Sequence, residues 1–182
     1  MNITSRKSTV DGCSIANIPK IDDERGYFLK FYQKSCFEEY LNGFTIAESY
    51  ISKSKKGVLR GMHFQVPPSD HAKVVICLDG DVHDVFVDIR NGSSFGNYDT
   101  VGLSHKNENA IFLPAGIAHG FLTLSEEATL LYLVSTEYDP KNDQGIMWNS
   151  FGYSWPCKNP ITSTRDQKHK KLQEFKGLNY WK

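Results

Sequence analysis

Val82-His83-Asp84-Val85-Phe86-Val87-Asp88-Ile89 is the stretch that decides the fold. β-Branched and aromatic residues stand at near-alternate positions with polar ones, as in a strand with one wet and one dry face. Val82, Asp84, Phe86 and Asp88 share one face, His83, Val85, Val87 and Ile89 the other. Neither is purely polar, as expected where one end of a barrel is wet. Asp79-Gly80-Asp81 and Asn91-Gly92-Ser93 punctuate its two ends. Upstream, 44–52, 58–64 and 72–78 read as strands, separated by Lys56-Gly57 and Pro67-Pro68-Ser69-Asp70. Downstream the strand candidates are 98–103, 110–113, 120–124 and 129–135, with Pro114-Ala115-Gly116 as a further turn. Residues 27–32 make another strand, 35–41 one short helix, 141–155 irregular chain and 166–175 a short closing helix. About ten short strands with hardly any helix predict an all-β, antiparallel jelly-roll barrel.

The 182 residues suit one domain, 1–182, and no repeat or linker divides them. With 21 basic and 21 acidic side chains, the chain lacks the surplus that nucleic-acid or anionic-membrane binding needs. A hydrophobic content of 40% with 13% aromatics excludes a disordered chain. No apolar stretch approaches the ~20 residues of a membrane span. The start, Met1 to Gly12, lacks the apolar stretch of a secretory signal, so a cytoplasmic protein is predicted. Cys13, Cys36, Cys77 and Cys157 lie far apart and read as free thiols. Lys53, Lys55 and Lys56, and the run Lys168-His169-Lys170-Lys171, read as solvated faces. Trp148 and Trp155 read as core or interface anchors.

Strict alternation sends Arg60 and Met62 one way and Gly61, His63 and Gln65 the other. If Met62 packs outward, His63 and Gln65 point into the barrel; the face taken by Lys73 is not fixed by its strand. Pro114-Ala115-Gly116-Ile117-Ala118-His119 matches the P-x-G-x-x-H element of the cupin superfamily, whose metal-binding members carry H-x-H on an earlier strand. Here that position reads His63-Phe64-Gln65, so an imidazole is missing. Two histidines, with Glu108 or Asp84 still to be drafted in, are too few for a secure metal site, and none is predicted. Metal-free proton transfer beside a carbonyl needs a base, a cation for the enolate oxygen and an acid to return the proton. His63, Lys73, Asp166 and Tyr132 offer such a set, although chemistry alone does not select them from six His and nine Tyr.

Gly57-Val58-Leu59-Arg60-Gly61-Met62-His63-Phe64-Gln65 resembles the G-V-L-R-G-x-H-[FY]-Q segment of the dTDP-4-dehydrorhamnose 3,5-epimerase family. The resemblance continues through Ala72-Lys73, Gly80-Asp81-Val82, Asp84-Val85, Val87-Asp88, Arg90 and Phe95-Gly96. It then runs through Leu113-Pro114, Gly116, His119-Gly120-Phe121-Leu122, Tyr132, Tyr138, Pro140, Gly145-Ile146 and Trp155-Pro156 to Ser163 and Asp166, so that it spans roughly residues 20 to 170. It implies a cupin-like jelly roll and a cofactor-independent epimerase of a nucleotide-diphosphate 4-keto-6-deoxy sugar, inverting C3, C5 or both. His63 falls on the base, Asp166 on its carboxylate partner, Lys73 on the cation facing the enolate oxygen, and Tyr132 on the acid. Arg25 and Arg60 fall on diphosphate contacts, His119 on a substrate contact, and Tyr138 on the aromatic that stacks on the nucleobase. Gln65, Asp143 (where many members have Glu) and Arg165 join the substrate-binding set. The family generally forms homodimers exchanging N-terminal strands, here about residues 1–35, and residues 160–182 would close the domain.

Three departures accompany the resemblance. Lys30 stands where the family has an acidic residue, Glu48-Ser49-Tyr50 where it often has Gln-x-Asn, and His83 where an aromatic is usual. Lys30, Glu48, Ser49 and Tyr50 fall on nucleotide contacts, so a nucleotide other than dTDP is predicted, with CDP and GDP as candidates. The alternatives are a C3-only or C5-only epimerase, a 3,4-ketoisomerase on the same scaffold, and a non-catalytic or metal-dependent cupin.

Overall fold

The computed structural model describes residues 5–18, 20–178 and 180–181. Its first strands are β1 (Ser5–Lys7), β2 (Ser14–Asn17), β3 (Lys20–Asp23) and β4 (Gly26–Leu29), followed by helix α1 (Lys34–Tyr40). Then come β5 (Glu48–Lys55), β6 (Leu59–Gln65), β7 (Lys73–Asp79), β8 (Asp81–Asp88) and β9 (Tyr98–Ser104). The last are β10 (Asn109–Leu113), β11 (Ile117–Thr123), β12 (Glu127–Val134) and β13 (Asp143–Gly145), and two 3₁₀ turns, Asp166–Lys168 and Leu172–Phe175, close the chain. All strand pairs are antiparallel. One sheet runs β1-β2-β10-β7-β12-β5, the facing one β13-β6-β11-β8-β9, and β3-β4 forms a hairpin outside both. This is the jelly roll expected.

Three apolar layers hold it together. Val75, Phe86, Ile111, Phe121 and Leu130 fill the space between the sheets. On the outer face of the six-stranded sheet, Phe37 of α1, with Leu41 and Phe44 after it, covers Val74, Ile76, Phe112 and Leu133. On the outer face of the five-stranded sheet, Leu172 and Phe175 of the closing segment join Trp155 over Val85, Val87 and Leu122. The central strands are therefore covered on both faces, and this corrects the wet-and-dry reading of β8. Its faces divide as alternation predicts, but Asp84 and Asp88 are fully buried, one paired with His119 and the other with Arg90.

Other boundaries differ for physical reasons. Phe44 belongs to no strand, because its side chain packs on Phe37 beneath the helix, and β5 begins at Glu48. β4 ends at Leu29, and Tyr32 turns its edge onto Phe37. The 166–175 helix breaks into its two turns at His169–Lys171, where Met147 N–H donates to the Lys170 carbonyl at 2.8 Å. The irregular 141–155 stretch contains β13, which pairs with β6. Trp155 is a core anchor, donating Nε1–H to the Trp148 carbonyl. Cys13, Cys77 and Cys157 carry free thiols; the Cys36 side chain lies outside the described residues. Among the described residues no helix is long and apolar enough to cross a membrane.

Candidate active site

A cavity of about 340 Å³ opens between the two sheets at one end of the sandwich. His63, Arg60 and Gln65 of β6 and His119 of β11 line one wall; Lys73 of β7, Tyr132 of β12 and Glu48, Tyr50 and Ser52 of β5 line the other. Arg60 sharing the cavity with His63 breaks the expected alternation. The ladder explains it: β11 advances from His119 to Phe121 while β6 advances from His63 to Arg60, so β6 carries one extra residue, a bulge. Gly61 sits in it at φ +127°, and a Cβ there would stand 2.5 Å from the Gly120 Cα. Met62 packs in the outer layer, leaving His63 inward.

The partner of His63 arrives from 103 residues downstream. The closing segment is stitched to the start of β6, where Leu59 N–H donates to the Ile161 carbonyl at 2.9 Å, and to Ile146 by Lys170, while Asp166 N–H donates to Ser163 Oγ at 3.0 Å. Asp166, 3% exposed, then lies with Oδ1 2.7 Å from His63 Nε2 and Oδ2 3.4 Å from the Gly61 amide. A carboxylate there places the imidazole proton on Nε2 and leaves Nδ1 as the free lone pair. Burial pushes the Asp166 carboxyl up, but interaction with His169 and His63 outweighs it and holds the group well below the usual carboxylate range. Burial lowers His63 below the ordinary imidazole value despite the pull of Asp166, so the ring is a neutral base near pH 7.

Across the cavity Tyr132 is 7% exposed, and burial pushes its phenol upward, so it holds its proton over the whole working range. The Tyr50 ring stacks on it at 4.8 Å and 14°. Lys73 turns inward with Val75 and Cys77 and donates from Nζ to the His63 carbonyl at 3.1 Å. Burial lowers its pKa from 10.5 to about 8, partly offset by Asp143 and Asp84. His119 Nε2 and Asp84 Oδ2 form a buried pair at 2.8 Å beside Tyr132.

The remaining expected residues divide. Arg60 is held by Ser54 Oγ and the Lys53 carbonyl with its guanidinium at the cavity. Tyr138, 59% exposed, stands at the mouth beside the Asp143–Arg165 ion pair of 2.6 Å. Glu48 lines the mouth and accepts the Tyr138 amide N–H at 2.7 Å. Gln65 reaches the cavity, but its amide is occupied by the Ser69 and Glu137 carbonyls and the Asp139 amide, a clamp on two loops. Ser49 points to the opposite face of β5 from Glu48 and Tyr50 and does not line the cavity. Arg25 and Lys30 do not line it either: Arg25 pairs with Asp23 at the tip of the β3-β4 hairpin, and Lys30 follows β4 in solvent.

Two further histidines near the site carry no functional expectation from the sequence. His71 lines the cavity, where burial lowers it to about 3. His169, read as part of a solvated basic run, is turned inward with its side chain 10% exposed. Its spacing from Asp166, one 3₁₀ turn, is the signal that places it there. His63, Asp166 and His169 bring donor atoms within 4.8 Å of one another. Zinc-bound nitrogen and oxygen ligands stand roughly 3.3 Å apart, whereas His63 and Asp166 are drawn to 2.7 Å by their hydrogen bond. The arrangement is a hydrogen-bonded His63–Asp166 pair with His169 Nε2 3.4 Å from the same carboxylate oxygen.

Residues 7–174 match the family model described as dTDP-4-dehydrorhamnose 3,5-epimerase. A dTDP-4-dehydrorhamnose 3,5-epimerase of Salmonella typhimurium is 43% identical over 154 residues, 81% of this chain and 84% of the relative. A dTDP-4-dehydrorhamnose 3-epimerase of Streptomyces niveus is 40% identical over 149 residues, 80% of this chain and 72% of the relative. Among solved structures, a dTDP-6-deoxy-D-glucose-3,5-epimerase of Legionella pneumophila in complex with dTDP-4-keto-L-rhamnose superposes with a TM-score of 0.90 at 32% identity, covering 94% of each chain.

Proposed function

This chain belongs to the dTDP-4-dehydrorhamnose 3,5-epimerase family, and on that premise we propose how its cavity inverts carbon centres. The protein is an isomerase acting on a nucleotide-linked 4-keto-6-deoxy sugar. One observation carries the mechanism: the His63 imidazole, backed by Asp166 from the closing segment, and the Tyr132 phenol line one cavity from opposite sheets. A ring held between them loses hydrogen from one face and regains it on the other, which is inversion.

His63 takes the proton from a carbon beside the C4 ketone, and Asp166 stabilises the imidazolium that forms. The Lys73 ammonium faces the enolate oxygen, where a fixed cation in a water-poor wall acts most strongly. Tyr132 then delivers its proton from the other side, and solvent resets the pair. Arg60, with the bidentate geometry of a guanidinium, grips the diphosphate, and Tyr138 at the mouth takes the nucleobase. His119, held by Asp84, contacts the sugar beside Tyr132, and Asp143 and Arg165 bound the mouth.

Incubation in D₂O with nucleotide 4-keto-6-deoxy sugars, followed by NMR, tests this reading. Deuterium at C3 and C5 is the expected result; a panel that yields none overturns it. Deuterium at C3 alone would bring the chain closer to the Streptomyces niveus relative, whose identity is no lower than that of several 3,5-epimerases.

The nucleotide admits a second reading, because Glu48 and Tyr50 line this cavity where the family often has Gln and Asn. Relatives act on dTDP sugars by name, whereas this altered wall favours CDP or GDP. Calorimetric titration decides, and tightest binding of dTDP retires the second reading. A homodimer is the proposed assembly, with the hairpin carrying Arg25 and Lys30 to the partner's cavity. Free thiols at Cys13, Cys77 and Cys157 fit a reducing, cytoplasmic setting.

A further inference from the structure

His169 is a buried imidazole to which the reaction above gives no task. Its neighbours Lys168 and Lys170 are exposed, yet the chain turns His169 inward between the two 3₁₀ turns. Gly145 of β13 makes the room: a Cβ there would stand 2.5 Å from His169 Nε2. The ring meets His63 edge-on, with centroids 5.5 Å apart at 77°. Its Nε2 is buried without a formed hydrogen bond and lies 3.4 Å from Asp166 Oδ1, the same oxygen that holds His63 at 2.7 Å.

We propose that His169 is a positioning residue, a second imidazole that shares the Asp166 carboxylate with His63 and sets the pH below which His63 ceases to act as a base. The proposal rests on His63 being that base. A buried carboxylate whose charge falls on one imidazole holds that ring strongly as imidazolium. Sharing the oxygen with a second imidazole weakens the hold, and any positive charge on His169 repels a proton on His63. The other groups about His63 are Asp166 and Arg165 from the closing segment, Lys73 from β7 and His119 opposite it on β11. Asp166 alone among the closing-segment charges favours the imidazolium; Arg165 and His169 oppose it. All but His169 are unchanged in a His169 variant, so the difference isolates it.

The test is the pH profile of kcat/KM for the parent, His169→Ala and His169→Gln, with folding checked by circular dichroism. His169→Ala is expected to move the acid limb upward by about half to one pH unit, a ~3–10-fold loss on the limb, with the plateau kept within about twofold. His169→Gln returns an uncharged donor to the carboxylate and is expected to lie between the two. NMR titration of the His63 imidazole reads the same shift without turnover. An acid limb and a His63 midpoint that stay put, or move downward, overturn the proposal, as does a uniform loss at every pH. Retained turnover in His63→Ala would sink the base reading instead, and the NMR midpoint would still judge His169.

Discussion

Lys73 holds its ammonium where water scarcely reaches, and the cost is visible in its titration. Its folded pKa is about 8 against 10.5 for the free side chain. Below pH 8 both states carry the proton and the penalty is complete, roughly 3 kcal/mol at 1.36 kcal/mol per unit. Between pH 8 and 10.5 the unfolded chain binds more protons, so stability rises with pH across that window. Lys73→Met is therefore expected to raise Tm near neutrality by about 4–8 °C, allowing for the lost hydrogen bond to the His63 carbonyl. The same change should lower kcat by ~10²–10³-fold, the usual worth of one oxyanion donor. A melt and a rate assay on one preparation check both. In the parent, activity should decline above about pH 8 as Lys73 loses its charge. His63→Ala and Tyr132→Phe should each keep the fold and abolish deuterium uptake at the ring carbons; full exchange in both refutes the assignments. His63, Lys73, Tyr132 and Asp166 were legible in the sequence through ordered motifs, not through chemistry alone. His169 was hidden because three lysines around it make the run read as solvated, and only the tail's path turns one side chain inward.

At the level of elements, the bulge in β6 does what a regular strand could not: it aims Arg60 and His63 into one space. Alternation misplaces Arg60 because it assumes an unbroken ladder, and an extra residue shifts the faces upstream of it. Gly61→Ala would drive a methyl group into the β11 backbone at Gly120 and His119 and impose a positive φ on alanine. A loss of about 2–4 kcal/mol is expected, measured by urea unfolding. Strand existence was legible because turn residues separate β-branched runs, whereas wetness was not. The wet-and-dry reading of β8 failed because the closing segment and the inter-sheet layer bury both its faces, and a strand's own pattern does not record what will be laid over it.

For the whole molecule, the β3-β4 hairpin stands apart from both large sheets. Ile21, Tyr27 and Phe28 on it are each about 60% exposed, and Phe31, just after it, is 41% exposed. Tyr27→Ser with Phe28→Ser is expected to convert a dimer to a monomer by light scattering; a monomeric parent would refute the exchange. Mixing Arg25→Ala with His63→Ala after co-refolding should restore about a quarter of parental activity, since half the dimers are mixed and each owns one complete cavity. No recovery would place Arg25 outside the partner's site. The jelly roll was legible from length, strand spacing and motifs together, whereas the motifs that place Arg25 and Lys30 at a cavity carry no record of the hairpin that holds both away from the cavity of their own chain.

The pairing of β2 with β10 sets Ala16 opposite Ala110. A ribosome adding ~5–20 residues per second needs roughly 5–20 s to synthesise the chain between them. Throughout that interval β1 can cover one edge of β2 while the edge that β10 will take stays unpaired, so the growing chain is open to mispairing along that edge.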